Sequence, residues 1–158
     1  ALMKAGAHAV KLEGDYSEAI KAIVKAGIPL MGHLGMTPQS IHQFGGFKVQ
    51  GRGKAGCELI DAAKSLEEAG AFSIVLELIP SELAEDITAQ VVIPTIGIGA
   101  GAGCDGQVQV MHDMLGLAPS VYKHAKKYCE GRNIVLDAFR SYGREVKAGE
   151  FPLPENSL

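Results

Sequence analysis

The chain has 158 residues, 47% hydrophobic and 21% charged, the make-up of an ordinary soluble globular protein, and one domain over residues 1–158 is the natural count. A formal net charge of −3, with no basic arm, argues against nucleic-acid binding. No apolar run reaches the roughly 18 residues that a membrane-spanning helix needs. Three scattered cysteines, Cys57, Cys104 and Cys129, form no CxxC pair and favour a reducing, cytoplasmic setting.

The first residues (ALMKAGA) look like the end of a helix, without an initiator Met, so further residues are expected upstream. Residues 8–13 then read as a short strand. Residues 17–26 follow as a helix, with Ile20, Ile23 and Val24 at helical spacing, Ser17 as its N-cap and Gly27 as its stop. Residues 28–33 form the next strand. A Gly-rich polar loop from about 35 to 54 is long for a strand–helix connection, and such loops are usually functional or mobile. Residues 55–69 form a helix with Leu59, Ala63, Leu66 and Ala69 on one stripe, closed by Gly70.

Residues 72–78 (FSIVLEL) are nearly all apolar, as befits a strand covered on both faces. Pro80 and Ser81 open a helix to about Gln90. Residues 91–98 are a strand, 107–112 a further one, and helices are expected at about 120–130 and 134–148. The last carries Val135, Phe139, Tyr142 and Val146 on one side. The cluster at 123–127 (KHAKK) reads as a solvated helix face. Strands alternating with helices predict a parallel α/β sheet. A closed (β/α)₈ barrel has eight strands and about 250 residues, so the chain reads either as a small doubly wound sheet or as part of a barrel.

Polar residues at strand ends separate these readings. Side chains alternate along a strand, so Lys11 and Glu13 share one face while Val10 and Leu12 take the other. Charge buried in a sheet needs a partner or a metal. The next strand ends at His33, and the strand over 72–78 carries Glu77 between two leucines, which suits general acid/base work. Taken singly, His33 reads as a satisfied core histidine and Glu77 as a salt-bridge partner. Taken together, they sit at the C-terminal ends of three strands, where (β/α) barrels assemble their active sites. The two GxGxxG stretches, Gly51–Gly56 and Gly101–Gly106, are weak signals. A strand rather than a helix is expected after the second, so it reads as a turn and not as a dinucleotide fingerprint.

Several stretches resemble the ketopantoate hydroxymethyltransferase family in order and spacing: VKLEG at 10–14, GHLGMTPQ at 32–39, FGGFKVQGRG at 44–53, VLE at 75–77, IGIGAG at 96–101 and DGQ at 105–107. The resemblance covers essentially the whole chain and looks like the family's C-terminal portion. It implies a (β/α)₈ TIM barrel of the phosphoenolpyruvate/pyruvate superfamily, here about strands four to eight with trailing helices. It implies a cytoplasmic homo-oligomer, often a decamer. The implied reaction transfers a hydroxymethyl group from 5,10-methylenetetrahydrofolate to 3-methyl-2-oxobutanoate, giving 2-dehydropantoate, with Mg²⁺ as cofactor. By the same resemblance Glu13 is a Mg²⁺ ligand, Lys11 and His33 contact the substrate, and Glu77 is the catalytic proton-transfer group. Two further metal-binding aspartates are expected on strands upstream. Asp15 departs from the second glycine that is expected after Glu13-Gly14. The alternatives are another Mg²⁺-dependent lyase or mutase acting on 2-oxo acids, or an inactive half-barrel that self-associates.

Overall fold

The computed structural model describes residues 1–120 and 122–158. They divide into two compact units, Ala1–Val108 and Gln109–Leu158.

The first unit is built on five parallel strands: β1 (Val10–Glu13), β2 (Leu30–Gly35), β3 (Ser73–Glu77), β4 (Thr95–Ile98) and β5 (Gly106–Gln107). They lie in the sheet in the order in which they occur in the chain. A doubly wound sheet reverses its order at a switch point. An unbroken sequential order is what a stretch of barrel wall has. The fold is thus α/β, a parallel sheet consistent with part of a (β/α) barrel.

Period-two alternation gives this sheet two different faces. Leu30, Leu34, Ile74 and Leu76 belong to a buried core that also contains Ile20, Ala63, Leu66, Leu83 and Ile87 from the helices. Val10 and Leu12 pack against the same core. The helices that cover it are α1 (Ser17–Lys25), α3 (Lys54–Glu68) and α4 (Ser81–Gln90). The residues between those leucines and isoleucines must point the other way, and they include Lys11, Glu13, His33, Val75 and Glu77. The helix-covered face therefore holds the fold together, and the opposite face is left for chemistry.

The structure corrects several boundaries. Ser17 is the first residue of α1 and makes no cap; Tyr16 stands at the N-cap, without a side-chain hydrogen bond. The loop after β2 contains a 3₁₀ turn at Pro38–Ser40 and a short helix, α2 (Ile41–Phe44). The strand expected over 91–98 is confined to Thr95–Ile98, because Pro94 cannot donate to the ladder. The strand expected at 107–112 shrinks to Gly106–Gln107.

The second unit contains α5 (Met111–Met114) and α6 (Gly131–Ala148). Between them, the helix expected at about 120–130 does not form over residues 122–130; residue 121 lies outside the described residues. Instead the Gln109 side chain brackets Lys126, its carbonyl accepting the Lys126 N–H at 3.0 Å and its amide donating to the Lys126 carbonyl. Tyr128 N–H donates to the Met114 carbonyl at 2.8 Å. These bonds satisfy the backbone that a helix would have satisfied internally. In α6, Val135, Phe139, Tyr142 and Val146 form one exposed apolar stripe. Among the described residues no helix is long and apolar enough to cross a membrane.

All three cysteines are free. Burial pushes the Cys104 thiol above its ordinary range, whereas Cys57 is exposed. At pH 8 the partly buried Cys104 should therefore be alkylated more slowly than the exposed Cys57, as mass spectrometry of an iodoacetamide time course would show. Leu66 is fully buried in the core. Leu66→Ala should cost about 2–5 kcal/mol of stability, read as a lowered urea midpoint at unchanged m-value.

Candidate active site

Four side chains from three neighbouring strands meet on the inner face, the one turned away from the helices. Register fixes the meeting: Lys11 pairs with Met31, Glu13 with His33, and His33 with Val75. The Lys11 ammonium donates to His33 Nδ1 at 3.3 Å. With its Nδ1 accepting, a neutral imidazole carries its proton on Nε2. That nitrogen lies 3.1 Å from Glu77 Oε2, yet off the line of a directed hydrogen bond, so it is buried without a hydrogen-bond partner. His33 is 1% exposed. Buried polar nitrogens in native proteins are nearly always satisfied; here the ring as a whole lies between two carboxylates, Glu13 on its Nδ1 side and Glu77 on its Nε2 side.

Glu13 is held differently. Its Oε2 accepts the Gln39 backbone N–H at 2.9 Å. Its Oε1 is 3.8 Å from His33 Nδ1 and 4.0 Å from Lys11 Nζ, both too long for hydrogen bonds. One carboxylate oxygen is thus free of close donors, the kind of atom that a hard divalent cation takes. Among the described residues no three His, Cys, Asp or Glu side chains form a metal-binding group. Glu13 accordingly fits as a single oxygen ligand. Glu13 and Glu77 flank the His33 ring beside a single lysine.

The strand ends beside this cluster are closely packed. Gly35 pairs with Glu77 and has φ +90°. A Cβ there would lie 2.2 Å from the Glu77 carbonyl oxygen, which already accepts the Met36 N–H at 2.8 Å. Leu78, just after Glu77, adopts φ +48°, uncommon for a residue with a side chain. In that conformation its N–H donates to the Ile98 carbonyl and its own carbonyl accepts the Gln50 N–H, both at 2.9 Å. The long loop after β2 is thereby tied to the residue beside Glu77.

Lys11, Glu13, His33 and Glu77 thus share one face, as the sequence places them; Glu13 and Glu77 end their strands, whereas β2 runs two residues past His33 and Lys11 is the second residue of β1. The sequence reading missed the Gln39 N–H on Glu13 and the strained backbone at Leu78, which depend on loop paths. It also missed the inner-face isoleucines of β4, although the alternation in Thr95-Ile96-Gly97-Ile98 carries that signal. A cavity of about 720 Å³ lies elsewhere, between the loop residues Val49 and Arg52 and the α3 and α4 residues Ile60 and Leu83. Its lining includes Arg52, Glu82 and Asp86 but no histidine and none of the four residues above.

A parallel α/β sheet with an acid, a histidine and a lysine gathered at its C-terminal edge defines the class of barrel enzymes that work at strand ends. The family described as ketopantoate hydroxymethyltransferase matches residues 1–154. The chain belongs to that family. It is 54% identical to a 3-methyl-2-oxobutanoate hydroxymethyltransferase of Syntrophus aciditrophicus, over 99% of this chain and 59% of the relative. Proteins of the same name from Bdellovibrio bacteriovorus and Legionella pneumophila are each 52% identical, again over 99% of this chain and over 61% and 62% of their own lengths. The chain therefore spans about three-fifths of these relatives, a measure of extent that assigns it to neither end of them.

Gly35→Ala combines an unfavourable φ with a collision against Glu77. It should lower stability by about 2 kcal/mol or more, and the loss should show as a lowered Tm in calorimetry.

Proposed function

We propose that the complete protein carrying this chain is a cytoplasmic enzyme that transfers a hydroxymethyl group to 3-methyl-2-oxobutanoate, with 5,10-methylenetetrahydrofolate as donor. The observation that carries this reading is the buried His33 ring set between two carboxylates, with Nδ1 3.8 Å from Glu13 Oε1 and Nε2 3.1 Å from Glu77 Oε2. The names of the relatives support the acceptor and the group transferred. The reaction consumes water and releases tetrahydrofolate together with 2-dehydropantoate.

The chemistry requires a proton to leave C3 of the 2-oxo acid before that carbon attacks the one-carbon unit. Glu77 is the base. It is 15% exposed and stands against His33 Nε2, so it is shielded from water yet open toward the inner face. His33 stands beside this carboxylate without a directed hydrogen bond to it and is itself fixed by Lys11 through Nδ1. Lys11, 46% exposed in its side chain, has donors to spare for the substrate carboxylate. Glu13 is the residue of this chain that would hold Mg²⁺, through its Oε1, which has no close donor. When bound, Mg²⁺ supplies positive charge against the ketone and carboxylate oxygens and makes loss of the C3 proton easier. The exposed apolar stripe of α6 supports self-association, and the resemblance favours a decamer.

Exchange of the C3 proton of 3-methyl-2-oxobutanoate for deuterium, followed by NMR, tests the first step. Glu77→Gln should slow it about 100- to 10,000-fold. EDTA should stop exchange, and added Mg²⁺ should restore it. Exchange that persists undiminished in Glu77→Gln would remove Glu77 from the role of base.

A further inference from the structure

The inner face changes character from one side of Glu77 to the other. Register sorts its residues into rows across the sheet. Glu13, His33, Val75 and Ile96 form one row, and Gly35, Glu77 and Ile98 form the next row toward the strand ends. In the upper row Glu77 therefore has no side chain on its β2 side and an isoleucine on its β4 side. Adjacent strands are about 4.8 Å apart, close enough for Ile98 and Glu77 to border the same small molecule. The Leu78 N–H to Ile98 carbonyl bond of 2.9 Å locks this pairing one residue beyond Glu77.

Ile96 and Ile98 stand outside the core that the helices cover, as alternation with Thr95 and Gly97 requires. Each is half-buried, while Thr95 is fully buried. They are stiff, branched side chains. A polar wall of Lys11, Glu13 and His33 thus faces an apolar wall of Ile96 and Ile98, with Glu77 between them.

We infer that Ile98, backed by Ile96, determines the size of the alkyl group that the site accepts. The inference rests on the proposed reading of the site. A 2-oxo acid has a charged end and an alkyl end, and the carbon to be deprotonated lies between them. With the charged end on the Lys11 and Glu13 side, C3 comes to Glu77 and its two methyl groups come to Ile98. Ile98 touches neither the ketone nor the carboxylate, so it acts on selection and not on proton transfer.

The test compares Ile98→Ala and Ile98→Val with the unaltered complete protein, using kcat/KM for C3 proton exchange on two substrates. These are 3-methyl-2-oxobutanoate and 3-methyl-2-oxopentanoate, which is longer by one methylene. One methylene in an apolar pocket discriminates by about 10- to 200-fold. Ile98→Ala should move the ratio of the two kcat/KM values toward the longer acid by about 10-fold or more, with Ile98→Val between it and the unaltered protein. Should the alanine variant not fold, the valine variant carries the test, with an expected shift of about 3-fold or more in the same direction. Equal slowing of both substrates, with the ratio unmoved, would overturn the inference and leave the reading of the site intact. An unaltered protein that exchanges neither substrate would overturn that reading and the inference with it.

Discussion

The parallel register of β1, β2 and β3 is the constraint on which the site depends. It sets Glu13 opposite His33, and His33 one row below Glu77. Once these strands are in register, alternation leaves no choice: the charged residues share the inner face and the leucines share the outer one. A slip of one residue in β2 would send His33 into the helix-covered core and Leu34 toward Glu77. The core of Leu30, Ile74, Leu76 and Leu66 resists that slip, because each of those side chains is fully buried only in this register. Packing on one face thus maintains chemistry on the other.

Three costs of the arrangement lie near Glu77, and a fourth, the buried unpaired Ser73 Oγ, lies at the far end of β3. His33 is buried with Nε2 unsatisfied, Leu78 is held at φ +48°, and Gly35 is held at φ +90°. Strain and unsatisfied polar groups tend to collect where ligands bind. All three surround Glu77, on its own strand or the neighbouring one. By contrast, the Thr95–Asp105 contacts on β4 are fully paired: Asp105 Oδ2 accepts the Thr95 N–H at 2.8 Å and its hydroxyl at 3.2 Å. That cluster closes the loop before β5 and has the character of a structural brace.

Much of this was legible in the sequence because two periodicities carry it. The stretch from Ser73 to Glu77 announces a strand covered on both faces, and Val10-Lys11-Leu12-Glu13 announces which charges share a side. The helices α1, α3 and α4 follow from apolar spacing and glycine stops. Signals failed where a local pattern lacked a packing partner. Residues 122–130 contain enough helix formers to suggest a helix, yet the Gln109 bracket and the Tyr128 bond take up their backbone groups instead. Residues 107–112 alternate like a strand, but the pairing with β4 stops at Gln107, with one further bond from the Val108 N–H to the Gly97 carbonyl. The hydrogen bond from Gln39 to Glu13 spans 26 residues, and no local rule encodes it.

The contact between His33 and Glu77 is the most direct point at which to challenge this account. Nitrogen-15 NMR of the imidazole ring reads that contact without requiring turnover. Replacing Glu77 by Gln should shift the Nε2 resonance of His33 strongly and Nδ1 little, while Lys11→Met should do the reverse. Ring resonances that stay unmoved in both variants would place His33 away from these partners and contradict the site as described.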